Sequence, residues 1–561
     1  MNLPLQMGKA LLSIKSGPFF SLRLPVALSG LKLSATLLAL LLALPAVVVV
    51  LHLLAPRMDT WSHLAGTVLP GYLWNTLLLG LAVGAGVTLV GVSCAWLTAM
   101  CRFPGQSVLA WALILPIAAP AYVLAYVYTD FLQFAGPLQT GLRAMTGWTV
   151  GDYAFPDIRS LGGAALVLVS VLYPYVYLLA RTAFLELSGA SFETARVLGL
   201  GPWGSFVRIA LPLARPAIVA GVALALMETL ADYGTVAYFG VDTFSTGVLR
   251  AWFSLGDPVA AAQLGALLLA GVGAVVGLER ALRGRSAFHA GTRRAPAPHM
   301  LSGWRAGLAL LACLVPLAFG FVIPLALLVR LALQDAEPGF ADRFLQLAFN
   351  SLTLAGVTAL IAVSGALLLA YAARLRPGRL TQVASRIAGL GYAIPGVVIA
   401  IGVLVPVTQL DRGLSAWLAT HYGIAPRLWL TGTIAALVYA CVVRFMAIAL
   451  QTVEAGLGKI KRSMDDAARS LGLGPLRTLL VVHAPLLARS LLTAGLLVFV
   501  DVMKELPATL AMRPFNFDTL AVQTFNLAKD ERLTEASVAA LAIVAVGLIP
   551  VLMLARTLNR R

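Results

Sequence analysis

Apolar runs of bilayer length recur along the whole chain, separated by short polar stretches. A helix needs about 20 residues to cross the hydrocarbon core. Within lipid, backbone N–H and C=O groups must be satisfied inside the element, so such runs form helices. The other solution, a closed barrel, would alternate apolar and polar residues, and these runs do not. The pattern predicts twelve spans. Six centre near Leu44, Val87, Ile117, Val171, Leu226 and Leu268, and six near Leu317, Leu360, Ile399, Val438, Leu497 and Val544. The expected fold class is an all-α polytopic membrane protein.

The sixth and seventh spans are separated by an Arg-, Pro- and Ala-rich stretch that includes Arg293-Arg294-Ala295-Pro296-Ala297-Pro298 and reads as a linker. The expected organisation is a tail (1–32), a first half of six spans (33–278), the linker (279–305) and a second half of six spans (306–561). The halves repeat one another. Asn75-Thr76-Leu77 returns as Asn350-Ser351-Leu352, a shift of 275, and Pro120 returns as Pro395 at the same shift. An even number of spans gives both halves one orientation. Their pseudo-two-fold axis then runs along the membrane normal, and a single route between the halves follows.

Composition supports a membrane protein: of 561 residues, 60% are hydrophobic and 12% charged. The formal net charge of +17 would suit a nucleic-acid binder if it lay on one soluble face. Instead Lys and Arg gather in loops at alternate crossings: Arg102, Arg181 to Arg215, Arg280 to Arg305, Arg374 to Arg386 and Lys459 to Arg489. That is the bias of cytoplasmic loops. It excludes a nucleic-acid partner and places both termini and the linker inside. Lys9, Lys15, Arg23 and Lys32 precede the first run, which shows no cleavage site before Pro56 and reads as a retained span. Cys94, Cys101, Cys313 and Cys441 lack metal or redox spacing and are expected to be buried small hydrophobes. His289 and His299, in the linker, have no Cys or carboxylate cluster around them and are expected to be solvated. No metal site is expected.

A polar cassette occurs twice, each time between two spans. The first copy is Glu193-Thr194-Ala195-Arg196-Val197-Leu198-Gly199-Leu200-Gly201-Pro202, ending in Leu211-Pro212. The second is Asp466-Ala467-Ala468-Arg469-Ser470-Leu471-Gly472-Leu473-Gly474-Pro475, ending in Ala484-Pro485. Position 193 answers to 466, a shift of 273. Glycine permits the backbone that ends a helix, and proline suits the first turn of the next. The expected product is a cytoplasmic helix–turn–helix. Its alanines would let another protein approach, and Arg196 and Arg469 would pair with acidic groups there.

At these residues the chain resembles the permeases of binding-protein-dependent ATP-binding-cassette (ABC) importers. Their mark is Glu-Ala-Ala, three residues, Gly, nine residues, Ile-x-Leu-Pro. Glu193, Ala195, Gly199, Ile209, Leu211 and Pro212 match that spacing, with Thr194 for the first Ala. In the second copy Asp466, Val482 and Ala484 replace Glu, Ile and Leu, while Ala467, Ala468, Gly472 and Pro485 hold. The resemblance implies the type I importer permease fold, with two pseudo-symmetric six-helix halves. It implies that Glu193, Thr194, Ala195, Arg196, Gly199, Gly201 and Pro212, with Asp466, Ala467, Ala468, Arg469, Gly472, Gly474 and Pro485, couple to ATPase subunits. It further implies a homodimeric ABC ATPase on the cytoplasmic side, holding ATP and magnesium. A periplasmic substrate-binding protein and a place in the bacterial inner membrane are implied as well. Gly456-Leu457-Gly458-Lys459 lacks phosphate-loop spacing, so the chain is read as a transport subunit with no catalytic residue and no cofactor of its own. The segments Met227 to Gly240 and Val502 to Leu510, with Arg513 to Asp518 following, are similar to those of fused ferric-iron permeases, which implies ferric iron as substrate. Thiamine, polyamine and phosphonate permeases share the architecture and stand as alternatives. A six-plus-six secondary transporter is the rival from another class.

Four carboxylates fall inside the predicted spans. Glu228 and Asp232 are four apart, which on one helix gives one face. Asp501 and Glu505 answer to them at the shift of 273. A mid-membrane carboxylate costs about 2.5–3.5 kcal/mol on insertion scales, so each needs a cavity or a partner. Either the four wall a shared translocation pathway, or they are structural. In the structural case Lys504 would neutralise Asp501 or Glu505, and Thr229 and Tyr233 would hydrogen-bond the others. Tyr122, Tyr126, Tyr128, Tyr173, Tyr175 and Tyr177 would line a polar route or sit in interfacial belts.

Overall fold

The computed structural model describes residues 23–55, 58–149, 151–187, 192, 193, 197, 199–283, 298–334, 340–425 and 427–558. Among them, eleven helices are long and apolar enough to cross a membrane. In the first half these are Gly30–Leu54, Leu69–Met100, Leu161–Leu185, Trp203–Ala231 and Pro258–Arg283. In the second they are Trp304–Ala332, Asp342–Leu375, Gly396–Tyr422, Ile434–Gly458, Pro475–Met503 and Leu533–Met553. A twelfth crossing, third in order, is a pair of helices, Gln106–Ala118 and Ala121–Thr146, bent by 92°. Ile117, expected at the centre of a straight span, therefore lies at a break. The cause is Pro116 and Pro120. Proline has no N–H to give a helix and pushes its neighbour towards extended backbone. Pro120 itself is extended (φ −63°, ψ 141°), as is Pro395 (φ −58°, ψ 141°), and each opens a helix, at Ala121 and Gly396.

Three spans widen into a single π turn, at Phe206–Ala210, Ala318–Val322 and Leu479–His483. Each turn ends two residues before a proline: Pro212, Pro324 and Pro485. Proline cannot donate to the carbonyl four residues back and its ring crowds that carbonyl. Widening the helix by one residue relieves the crowding without breaking the span.

Within each half the second, fourth and fifth spans pack together as a triad. The first spans are exchanged. Gly30–Leu54 lies against Arg379–Ala388 and Gly396–Tyr422 of the second half. Trp304–Ala332 in turn packs on the second, third and fourth spans of the first half, as well as on the twelfth. Two details fix the first exchange. Pro45 sits inside its helix, which leaves the Leu41 carbonyl without its usual donor, and the Tyr439 hydroxyl donates to that carbonyl at 2.6 Å. A Cβ on Gly402 would stand 2.3 Å from the Pro45 carbonyl oxygen, so only glycine admits this approach. On the other side, the Tyr128 hydroxyl donates to Phe319 O, within the π turn of the seventh span. Tyr439→Phe is expected to lower stability by about 1 kcal/mol by orphaning a carbonyl in an apolar setting. Thermal unfolding in detergent checks this, and an unchanged midpoint would refute it.

The linker re-enters the described structure as a strand. β1 (Cys101–Arg102) pairs in parallel with β2 (His299–Met300). His299 is therefore half-buried, its ring 6.3 Å from that of Trp96. The expectation of a solvated His299 is corrected: strand pairing pulls it onto the bundle. His289 lies outside the described residues. The four cysteines are free and buried, as expected.

Candidate functional site

The four intramembrane carboxylates meet at one cavity of about 130 Å³ between the halves. Its walls include Glu228 and Asp232 from the first half, and Asp501 and Glu505 from the second. The expectation that Glu228 and Asp232 share a face of one helix is corrected. The fifth span ends at Ala231 and the eleventh at Met503. Asp232 instead caps the short helix Gly234–Tyr238. Its Oδ1 accepts from Thr235 N and Val236 N, each at 3.1 Å, and its Oδ2 from Thr235 Oγ1 at 3.0 Å. Glu505 does the same for Pro507–Met512, accepting from Ala508 N at 2.9 Å, Thr509 N at 2.8 Å and Thr509 Oγ1 at 2.6 Å. A carboxylate at a helix start satisfies otherwise free N–H groups. That requirement ends the preceding helix.

Two cations enter the same space. Lys504 Nζ lies 2.9 Å from Asp501 Oδ1. Arg444, from the tenth span, donates from Nη1 to Glu505 Oε1 at 3.2 Å, and both side chains are buried. Gly396 makes room for this pair, since a Cβ there would stand 2.4 Å from Arg444 Nη1 and 2.9 Å from Glu505 Oε1. Glu228 forms no ion pair among the described residues and faces Tyr392 and Tyr175. Tyr122 lines the cavity with a buried hydroxyl that has no protein partner among the described residues. Of the six tyrosines flagged in sequence, Tyr122 and Tyr175 reach the cavity. Arg444 and Tyr392 escaped sequence reasoning. A lone arginine in an apolar span was the available signal.

The cassettes adopt the turn expected of them. In the second, helix Arg462–Ser470 ends, Gly472 takes φ +79°, Gly474 is extended, and Pro475 starts the next helix. In the first, Gly199 takes φ +77° and the next helix begins at Pro202. Thr194, Ala195 and Arg196 lie outside the described residues. Glu193, Gly199, Gly201, Ala467, Gly472 and the Asp466–Arg469 pair (3.0 Å) are exposed. Ala468 corrects the expectation of two outward alanines, because it is buried against the chain's own helices. Pro212 and Pro485 follow the π turns and shape the fifth and eleventh spans rather than the loop tips. Each cassette runs directly into a span whose far end carries two cavity carboxylates. Those spans are 29 residues long, or about 43 Å at helical rise.

Residues 362–561 match the model of the family described as binding-protein-dependent transport system inner membrane component. Over 492 residues the chain is 26% identical to the Fe(3+)-transport system permease protein FbpB 2 of Haemophilus influenzae, covering 86% of this chain and 88% of that one. It is 32% identical over 173 residues to the molybdenum transport system permease protein ModB of Escherichia coli K12, covering 30% of this chain and 71% of ModB. It is 29% identical over 181 residues to the sulfate transport system permease protein CysW of the same strain, covering 32% of this chain and 59% of CysW.

Proposed function

The chain belongs to the family of binding-protein-dependent transport system inner membrane components, and from that premise we propose that it carries ferric iron across the inner membrane. It is a multi-pass ABC permease subunit, and its family implies a periplasmic binding protein and an ATPase as partners. The observation that carries the substrate reading is the cavity wall, where four carboxylates face two cations. A net negative wall of hard oxygen donors suits a trivalent cation and opposes an oxyanion such as molybdate or sulfate. The cavity, at about 130 Å³, is also smaller than the roughly 300–1,000 Å³ typical of sites for organic ligands. Lys504 and Arg444 neutralise two of the carboxylates while the path holds no substrate, and weak, divided binding lets a permeating ion leave again.

In this reading the chain hydrolyses nothing itself. Two copies of one ATPase subunit, carrying ATP and magnesium, dock on the two cassettes and draw them together as they close. The fifth and eleventh spans transmit that movement to the carboxylates at their far ends. Binding protein and ATPase act by favouring different arrangements of one bundle. Both termini, the linker and the cassettes face the cytoplasm. Cysteines at Trp203 and Leu476, which are exposed, are then expected to react with an impermeant maleimide only after spheroplasts are opened. Cysteines at Asp152 and Phe515, exposed on the other face, react in intact spheroplasts. The reverse pattern would overturn the orientation.

Uptake of radiolabelled ferric iron into proteoliposomes holding permease, ATPase and binding protein tests the pathway. Glu228→Gln is the cleanest variant, because Glu228 caps no helix and holds no cation. Uptake is expected to fall about ten-fold, equivalent to about 1.4 kcal/mol in barrier, with the complex still assembled. Wild-type uptake by Glu228→Gln would assign the carboxylates a structural role.

A further inference from the structure

The second cytoplasmic loop is tied to the membrane helices by a buried ionic cluster. Asp465, on the inward side of helix Arg462–Ser470, is buried. Arg374, at the end of the eighth span, donates to Asp465 Oδ2 from Nε at 3.0 Å and from Nη2 at 2.7 Å. The same guanidinium donates to the carbonyls of Leu457 at 2.7 Å and Ile460 at 2.9 Å, where the tenth span ends. His483, in the π turn of the eleventh span, is fully buried, with Nε2 2.9 Å from Asp465 Oδ1. Tyr371 packs edge-on against that imidazole at 5.5 Å and donates to the Pro475 carbonyl at 2.8 Å. The loop carboxylate thus bonds to the eighth span through Arg374 and lies against the eleventh at His483, a close approach without hydrogen-bond geometry, while Arg374 itself ties in the end of the tenth.

The repeat shows what the first half does at the same place. At the shift of 275, Tyr371 and Arg374 answer to Trp96 and Ala99. At the shift of 273, Leu457, Asp465 and His483 answer to Phe184, Phe192 and Ala210. Those residues also converge. The Trp96 ring lies 5.5 Å from Phe184 and 6.4 Å from Phe192, while Phe184, Phe192 and Ala210 are buried. The same joint is built twice, once from aromatic rings and once from charges. Packing alone does not call for the charges, because a buried ionic cluster is often no more stable than an apolar one of equal volume. What charges add is direction. Two N–H groups of one planar guanidinium on a single carboxylate oxygen constrain distance and angle, whereas aromatic pairs accept a broader range of ring separations and tilts.

We propose that Arg374, Asp465 and His483 are positioning residues that lock the second loop to the eleventh span, so that a displacement of that loop reaches Glu505. The first loop, seated on rings, transmits displacement less directly, and the two halves respond unequally to one ATPase. This rests on the reading of the cassettes as ATPase-docking loops.

The full complex in proteoliposomes provides the test, with stimulation of ATP hydrolysis by the binding protein as the readout. Asp465→Asn keeps the volume of the side chain and removes its charge. Stimulation is expected to fall at least five-fold, the lower end of ordinary coupling between sites, while the ATPase still co-purifies. Arg374→Lys, which keeps charge but loses the fork, is expected to fall between the two. The decisive variant grafts the first half's set onto the second, as Tyr371→Trp, Arg374→Ala, Asp465→Phe and His483→Ala together. A merely structural cluster would be replaced by that graft, and an assembled graft with wild-type stimulation would overturn the proposal. So would wild-type stimulation by Asp465→Asn. If the graft fails to assemble, Asp465→Asn and Arg374→Lys decide. A cysteine at Leu471, exposed on the loop, separates the two readings. If it does not cross-link to the ATPase in the otherwise unaltered complex, the docking assignment fails and not the joint.

Discussion

Transport is expected to fall at least ten-fold, or about 1.4 kcal/mol in barrier, when Gly199 and Gly472 are both replaced by valine, with insertion of the protein preserved. Both glycines hold left-handed backbone, at φ +77° and +79°. An L-residue pays about 1–2 kcal/mol there, and a β-branched side chain is the least tolerant. Space is not the obstacle, because a Cβ at either position meets nothing within 4 Å. The substitution therefore acts through the turn alone. Valine relaxes by opening the turn, which redirects the helices that begin at Pro202 and Pro475 and moves the loop surface. Uptake measured with ATP hydrolysis and ATPase co-purification distinguishes uncoupling from loss of protein. Asn at the same positions tolerates left-handed backbone and is expected to restore much of the activity. Normal uptake by the double valine variant would remove these loops from coupling.

Arg444→Met is expected to be the most damaging single change to the bundle. It leaves Glu505 buried opposite no guanidinium, and breaking a buried pair from one side costs about 3–5 kcal/mol. Glu505 retains its bonds from Ala508, Thr509 and the Thr509 hydroxyl, so the helix start survives while the charge does not find a partner. Arg444→Met combined with Glu505→Gln removes both charges and keeps an oxygen for the cap. The double variant is expected to unfold at a higher temperature than Arg444→Met alone. Such non-additivity is the mark of a direct pair. Equal melting of wild type and Arg444→Met in detergent would show that the pair contributes nothing.

Much of this organisation was readable from the chain. The glycine–proline grammar foretold the two turns, and the shift of 273 brought together the four carboxylates that share the cavity. Helical spacing misled at Asp232 and Glu505, because counting four residues assumes a helix that continues. Their capping duty stops it. Arg444 and Asp465 were harder to read, since each has its partner 61 and 91 residues away respectively. The exchange of first spans was invisible for a different reason. An apolar run reveals that a helix lies in lipid, and nothing about which neighbour it will meet. Only small marks such as Pro45, Gly402 and Tyr439 encode that choice, and they are legible once paired.

The exchange has a consequence for how the protein is made. The helix Gly30–Leu54 enters the membrane early, yet its partner Gly396–Tyr422 is still unwritten. About 370 further residues must leave the ribosome first, which at 5–20 residues per second takes roughly 20–75 s. During that interval the Leu41 carbonyl has no Tyr439 and the Pro45 surface has no Gly402 to receive it. The two halves cannot mature one after the other as finished domains. Until the second half arrives, what holds this helix is its contact with Pro258–Arg283 of its own half.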